Sequence, residues 1–336
     1  MALLALMLGG ACSAGAPDGF GGLPGFASGA NASGPETDGE GSDDATTGDA
    51  ASGDETGADA ASTGAGATSM GPGDDGTDGD DGDTDDDVPP PGTGEPPPDS
   101  GEPPPGCVED VDVVFVMDVS TSMGPFLGTL ANEILAVDAE LATYNLPSPP
   151  RYGLVVFVDD VMVAGGGAAY VSADALRSDF IDWAAFTSTN QQIGGGNANT
   201  TWPENSLDGL YAASQSFDWR PAVSTTRIII HTTDDTFWDG PTVGNGVPIQ
   251  HGYAQTQAAL QAEQINMYSF AALIGGECEC LNVSAGWFGP YGGLPSMANA
   301  TGGGVFDIDQ VLSGAISLSE AIPGAVVESL CDPYPV

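Results

Sequence analysis

Three short segments of this 336-residue chain carry side chains able to hold a hard cation. Asp118-Val-Ser120-Thr-Ser122 sets one carboxylate and two hydroxyls at alternate positions. Asn199-Thr200-Thr201-Trp202-Pro203-Glu204 adds hydroxyls and a second carboxylate, and Thr233-Asp234-Asp235 offers another. Hard oxygen donors of this kind suit magnesium, manganese or calcium. An isolated Asp-x-Ser-x-Ser also fits a turn or a helix cap, where Asp and Ser are common. Its force depends on whether the three segments meet.

The elements around them say that they do. Val111 to Asp118 is a nearly unbroken apolar run, as expected of a strand covered on both faces. Phe126, Leu127, Leu130, Ile134, Val137 and Leu141 recur at helical spacing, and Pro147 to Pro150 ends that helix. Gly153 to Val158 reads as a second strand, followed by a glycine turn at 165–167. Ser172 caps a helix through Phe186, Glu204 to Phe217 reads as another, and Arg227 to Thr233 is an isoleucine-rich strand. A helix over 251–264, strands over 265–274 and 304–308, and a last helix over 309–321 complete the pattern. Alternating strands and helices predict an α/β fold: a doubly wound, mostly parallel sheet with helices on both faces. Such sheets bind ligands beyond the carboxyl ends of their strands, which is where the loops after 118, 158 and 233 would lie.

Composition excludes several alternatives. The chain has 48 acids, four arginines and no lysine, a formal charge of −44, which argues against nucleic acid and against an anionic membrane surface. The loop after the first strand has neither G-x-G-x-x-G nor a Walker sequence, so dinucleotide and P-loop chemistry are disfavoured. No G-x-S-x-G occurs. His231 and His251 are the only histidines, and His231 lies amid isoleucines, where a core role is expected over zinc.

With these residues in order, the sequence resembles the von Willebrand factor type A family and its metal-ion-dependent adhesion site. The D-x-S-x-S motif stands at Asp118, Ser120 and Ser122, and the aspartate after the fourth strand at Asp234. Pro203-Glu204 before a helix is closest in look to the metal-binding domain of integrin β subunits. The stretches Phe157-Val158-Asp159 and Trp219-Arg220 to Phe237 resemble it too. The resemblance covers about residues 108–325. It implies metal ligation by Asp118, Ser120, Ser122, Glu204 and Asp234, with a threonine, Thr200 or Thr201, from the middle loop. A second, weaker calcium site would map onto Asp159, Asn199, the Pro203 carbonyl and Glu204. The sequence departs from the pattern in two places. Gly124-Pro125 replaces the acidic pair that holds a further calcium, and Thr201 replaces an acid of the second site.

The rest of the chain reads differently. Residues 1–12, an apolar run ending at Gly9-Gly10-Ala11-Cys12, resemble the end of a bacterial lipoprotein signal, with Cys12 as the lipidated residue; an ordinary secretory signal is the alternative. Residues 13–106 hold 22 acids and no base in a background of Gly, Pro, Ser, Thr and Ala, and are expected to be a disordered linker. As a Gly-rich coil it would reach roughly 50–60 Å. Its Asp-rich stretch 74–87 lacks the register of a calcium loop. Residues 107–336 keep 26 acids and the four arginines, a net −22, in a length suited to one domain. Four further cysteines in an exported chain favour disulfides. Because the termini of such a fold lie near each other, Cys107 and Cys331 are the expected pair. Cys278 and Cys280 are left as a short bridge or a metal-binding C-x-C. They lie in an insertion over 275–296, whose role the sequence does not disclose.

The expected function is that of an extracytoplasmic, lipid-anchored or secreted monomer. It would bind Mg2+, with Mn2+ or Ca2+ as alternatives, and capture through it a carboxylate on a protein partner. Contact with a membrane would be through the anchor alone, nucleic acid is not expected as a partner, and the protein would not be an enzyme. A scaffold using another surface and a metal-dependent hydrolase are the rivals. Trp202 and Phe237-Trp238 adjoin the proposed ligands, either as a contact rim or as packing beneath the loops.

Overall fold

The computed structural model describes residues 109–273, 282–332, 334 and 335. The expected signal segment and linker, with Cys12, Cys107, Cys278 and Cys280, lie outside these residues. Cys331 is disulfide-bonded.

A six-stranded sheet forms the centre, in the order β3-β2-β1-β4-β7-β8. The strands are β1 (Asp110–Asp118), β2 (Arg151–Phe157), β3 (Val161–Val163), β4 (Thr225–Thr233), β7 (Ile265–Ala271) and β8 (Val305–Asp307). All pairings are parallel except β2 with β3. From β1 the chain builds outward through β2 to β3, then returns to place β4 on the other side of β1. The crevice between the ends of β1 and β4 is therefore the topological switch point.

Every residue of β4 is buried, as is β1 from Val111 on. This follows from helices on both faces, and the period-two alternation of a strand divides β1 between two cores. Val113, Phe115 and Met117 pack beneath α1 (Gly124–Leu141), α2 (Ala173–Phe186) and α7 (Leu318–Ser329). Val114 and Val116 face α3 (Ser206–Ser216), α4 (Tyr253–Ala262) and Trp287, with Met297 from the short α5 (Met297–Ala300). Ser172 caps α2 as expected, its hydroxyl accepting from the Ala175 amide at 3.2 Å. Among the described residues no helix is long and apolar enough to cross a membrane.

Three local readings are corrected. The final helix expected over 309–321 is two elements, α6 (Ile308–Leu312) and α7, because Gly314 at φ +75° breaks the helical path between them. The helix expected from Glu204 begins at Ser206, since the Glu204 backbone pairs with Phe237 instead. A hairpin, β5 (Thr242–Gly244) and β6 (Val247–Ile249), was not foreseen. Its turn residues Asn245 and Gly246 have φ +45° and +85°, the left-handed pair that an Asn-Gly turn supplies.

The arginines sit away from the switch point. Arg220 and Arg151 meet the buried Asp112 near the start of β1, Arg227 meets Glu263, and Arg177 donates to the Ala131 carbonyl on α1.

Candidate metal centre

The rim at the carboxyl ends of β1 and β4 gathers the three segments. Parallel pairing sets Met117 opposite Thr232, so the next residues, Asp118 and Thr233, are neighbours; the Thr233 hydroxyl donates to Asp118 Oδ2 at 2.8 Å. The Ser120 amide donates to Asp118 Oδ1 at 2.8 Å, closing the turn that points Ser120 and Ser122 the same way. Their hydroxyl oxygens lie 3.3 Å apart, and Ser122 Oγ donates to Asp234 Oδ1 at 3.0 Å.

The middle loop is held to this pair by its backbone. The Glu204 amide donates to the Thr236 carbonyl at 2.9 Å and the Trp238 amide donates to the Glu204 carbonyl at 3.0 Å. This one-residue parallel bridge sets the Glu204 side chain beside the loop that carries Asp234 and Asp235. Asn199 Nδ2 donates to Glu204 Oε1 at 2.8 Å, whereas Glu204 Oε2 is buried with no hydrogen-bond partner. An unpaired buried carboxylate oxygen is costly, and Glu204 is only 1% exposed.

Four acids here resist ionisation. Burial first, then the charge of Asp234, pushes the Asp118 carboxyl up to about 7, against the hydrogen bonds from Ser120 and Thr233. Burial and then Asp234 and Asp118 raise Asp235 to about 8. Burial, followed by Asp118, raises Glu204 well above the ordinary carboxylate range, opposed by Asn199. Asp234 is raised chiefly by burial, with Ser122 opposing and Asp309 adding to the rise. Acids crowded and desolvated in this way call for a positive charge, and none of the four arginines lines the cleft onto which Glu204, Asp234 and Asp235 open.

That cleft, of about 450 Å³, is lined by Ser120, Thr121, Ser122, Asn190, Asn199, Thr200, Thr201, Trp202, Glu204, Asp234 and Asp235. Among the described residues no three acidic, histidine or cysteine side chains form a preformed cage. The donors are instead a mixture of hydroxyls and carboxylates around an open space. This suits a cation that keeps exchangeable positions better than one enclosed by protein.

Of the residues expected to ligate, Asp118, Ser120, Ser122, Glu204, Asp234, Thr200 and Thr201 all reach this rim. The two threonines differ: Thr201 Oγ1 donates to Asp159 Oδ1 at 2.9 Å, while Thr200 is exposed on the cleft wall. For the second set, Asn199 meets Glu204, but Asp159 is turned to Thr201, Gln192 and Asn245. Asp235 and Thr233 were not singled out as site residues, although Asp235 adjoins Asp234 and Thr233 follows from the strand register. Trp202 is 40% exposed on the cleft, whereas Phe237 is packed against Tyr253, Trp287 and Tyr291. His231 is a core residue, with Nδ1 2.9 Å from Ser269 Oγ.

No described family and no curated protein matches the sequence. Similar solved structures include an aerotolerance-related membrane protein from Bacteroides fragilis, at 15% identity and a TM-score of 0.37. It is matched over 66% of this chain and 98% of that one. Another is proximal thread matrix protein 1 from the mussel byssus, in a form with a zinc-occupied MIDAS motif. The match is at 14% identity and a TM-score of 0.38, over 66% of this chain and 46% of that one. A second crystal form of the mussel protein matches at 15% identity, with a TM-score of 0.37, over 48% of its length. The chain thus spans about half the length of the mussel protein.

Proposed function

We propose that this chain is a divalent-cation-dependent binding module that captures a carboxylate of a protein partner at the β1–β4 rim. The observation that carries the reading is Glu204 Oε2, buried and unpartnered beside Asp118 and Asp235 in a cleft open to solvent. A positive charge is wanted there, and the chain's own arginines are bound elsewhere.

Ser120, Ser122 and Thr200 would offer neutral hydroxyls to the cation, and Asp118, Asp234 and Glu204 would hold it or orient the groups that do. A bound Mg2+, Mn2+ or Ca2+ supplies positive charge and exchangeable positions that an outside carboxylate can fill. Thr201 is occupied by Asp159, which favours Thr200 as the threonine donor. Asp118 is held by the Ser120 amide and the Thr233 hydroxyl, which fixes its carboxylate beside the two serines. With 26 acids against four arginines in residues 107–336, an acidic partner is repelled at long range. Screening over ~8 Å at physiological salt leaves the local field of the cation to decide capture.

In this reading the domain is an extracytoplasmic binding protein and not an enzyme, tethered through Cys12 and held off the surface by residues 13–106. Calorimetric titration of magnesium into the chelated protein, repeated with Asp118→Ala, tests it. Binding at millimolar magnesium that the variant loses is the expected result; no binding in the parent overturns it.

A further inference from the structure

The β5–β6 hairpin ends at the place where the resemblance implies a second cation. Asn245, at its tip, sets its side-chain nitrogen 2.7 Å from Asp159 Oδ2 and 2.9 Å from the Ala198 carbonyl oxygen. Both neighbours are acceptors, so the amide can only present its N–H groups there. Gln192 Nε2 likewise lies between Asp159 Oδ2 at 3.2 Å and the Asn245 carbonyl at 3.1 Å, while its oxygen accepts from the Asn197 amide at 3.0 Å. Thr201 donates to the other oxygen of Asp159 at 2.9 Å. The Asp159 carbonyl accepts from Asn205 Nδ2 at 3.0 Å.

Asp159 is thus fully buried and ringed by neutral donors. A cation needs lone pairs aimed at it, and here hydrogens are aimed at the carboxylate instead. The residue types agree: Thr201 replaces an acid by a hydroxyl, which lowers the negative charge a second cation would have to balance. The donor set does not fit a metal at this place.

We infer that Asn245 and Gln192 take the place of a second cation. The hairpin is a strut that fixes residues 190–201 against the end of β2 without metal, and the rim binds one divalent cation per chain. Asn245 is a positioning residue in this scheme, acting through the loop that carries Thr200 and Glu204. The single-cation stoichiometry rests on the function proposed above; the strut does not.

The full chain carrying Asn245→Gly tests the proposal, because glycine keeps the left-handed turn conformation and removes only the amide side chain. The readout is hydrogen exchange of residues 190–201 in chelator. The parent is expected to keep its protection without metal, and the variant to exchange about tenfold faster or more, since it loses a hydrogen bond to a buried charge. Gln192→Ala, away from the turn, should give the same loss. Calcium and magnesium calorimetry on the parent should show one equivalent, and Asn245→Asp, which sets a second carboxylate beside Asp159, should add a calcium equivalent. Two equivalents in the parent, with one lost in Asp159→Asn, overturn the inference, as does loss of protection on chelation in the parent. If no cation binds at all, the functional reading fails while the exchange comparison still decides the strut.

Discussion

The Ser122 hydroxyl donates to Asp234 Oδ1 at 3.0 Å, tying the turn after β1 to the end of β4 across 112 positions of sequence. The bond ties one proposed donor to another from a distant loop, so cutting it should affect cation binding more than folding. Ser122 is exposed, and exposed substitutions away from the core usually change stability little. Ser122→Ala is expected to weaken magnesium binding by about 10–100-fold, the usual cost of losing a group that orients or holds a metal, with little change in melting temperature. Calorimetry and a thermal scan of the same sample check both halves.

Glu204→Gln should act with opposite signs in two assays. Without metal the substitution removes a buried acid crowded by Asp118 whose Oε2 has no partner, so the chelated domain should melt a few degrees higher, where about 1 kcal/mol is worth roughly 2–4 °C in a domain of this size. With metal it removes a carboxylate from the cleft, so cation affinity should fall. A variant destabilised in chelator would contradict this account of Glu204.

The pH dependence of the metal-free domain follows from Asp118 and Asp235, raised from 3.8 to about 7 and about 8. Between the unfolded and folded values the native state binds more protons than the unfolded chain, so stability falls as pH rises. The favourable contribution is complete below pH ~4 and is lost as pH climbs through 7 to 8. Thermal scans from pH 4 to 9 in chelator should show this decline, magnesium should flatten it, and Asp235→Asn should reduce it.

Much of this site is legible because its parts are local or set by register. Asp118, Ser120 and Ser122 are adjacent in sequence, and the apolar runs of β1 and β4 place Asp118 and Asp234 on one rim. What could not be read depends on distant meetings. The contact of Asn245 with Asp159 spans 86 positions, and only its Asn-Gly turn is announced locally. Glu204 reads as the first residue of a helix, yet a backbone bridge to Phe237 holds it outside α3. A helical pattern over 309–321 conceals the break at Gly314, because the residues on both sides remain apolar in period.

The opposite end of β1 provides a control. Arg220 places Nε 2.8 Å from Asp112 Oδ1 and its amide 2.8 Å from Oδ2, and Asp112 is fully buried. Arg220→Ala keeps the backbone amide but leaves Arg151, at 3.9 Å, as the one cation beside that charge, and loss of one partner of a buried pair costs about 3–5 kcal/mol. Denaturant unfolding should show the loss. Whatever fraction remains folded should bind magnesium as the parent does.

His231 opposes the two aspartates in the stability profile. Burial alone lowers it from 6.5 to about 3, because its ring stacks on Phe157 at 5.9 Å and lies 4.4 Å from Trp287. The unfolded chain then binds more protons between those values, so the stability the neutral ring preserves is complete above pH 6.5 and lost progressively toward pH 3. This slope is opposite in sign to that of Asp118 and Asp235, and because two aspartates outweigh one histidine where the ranges overlap, stability in chelator should peak at pH ~4. His231→Phe removes the titrating group, keeps an aromatic ring against Phe157, and leaves the Ser269 hydroxyl without its partner. The variant should be less stable near neutrality by about 1–3 kcal/mol for that unpaired group and should lose stability more steeply as pH rises toward 6.5, because the opposing slope of His231 is gone. Denaturant midpoints at about pH 4, 5, 6 and 7 measure the slope directly, and a slope unchanged from the parent's would show that His231 does not contribute to it.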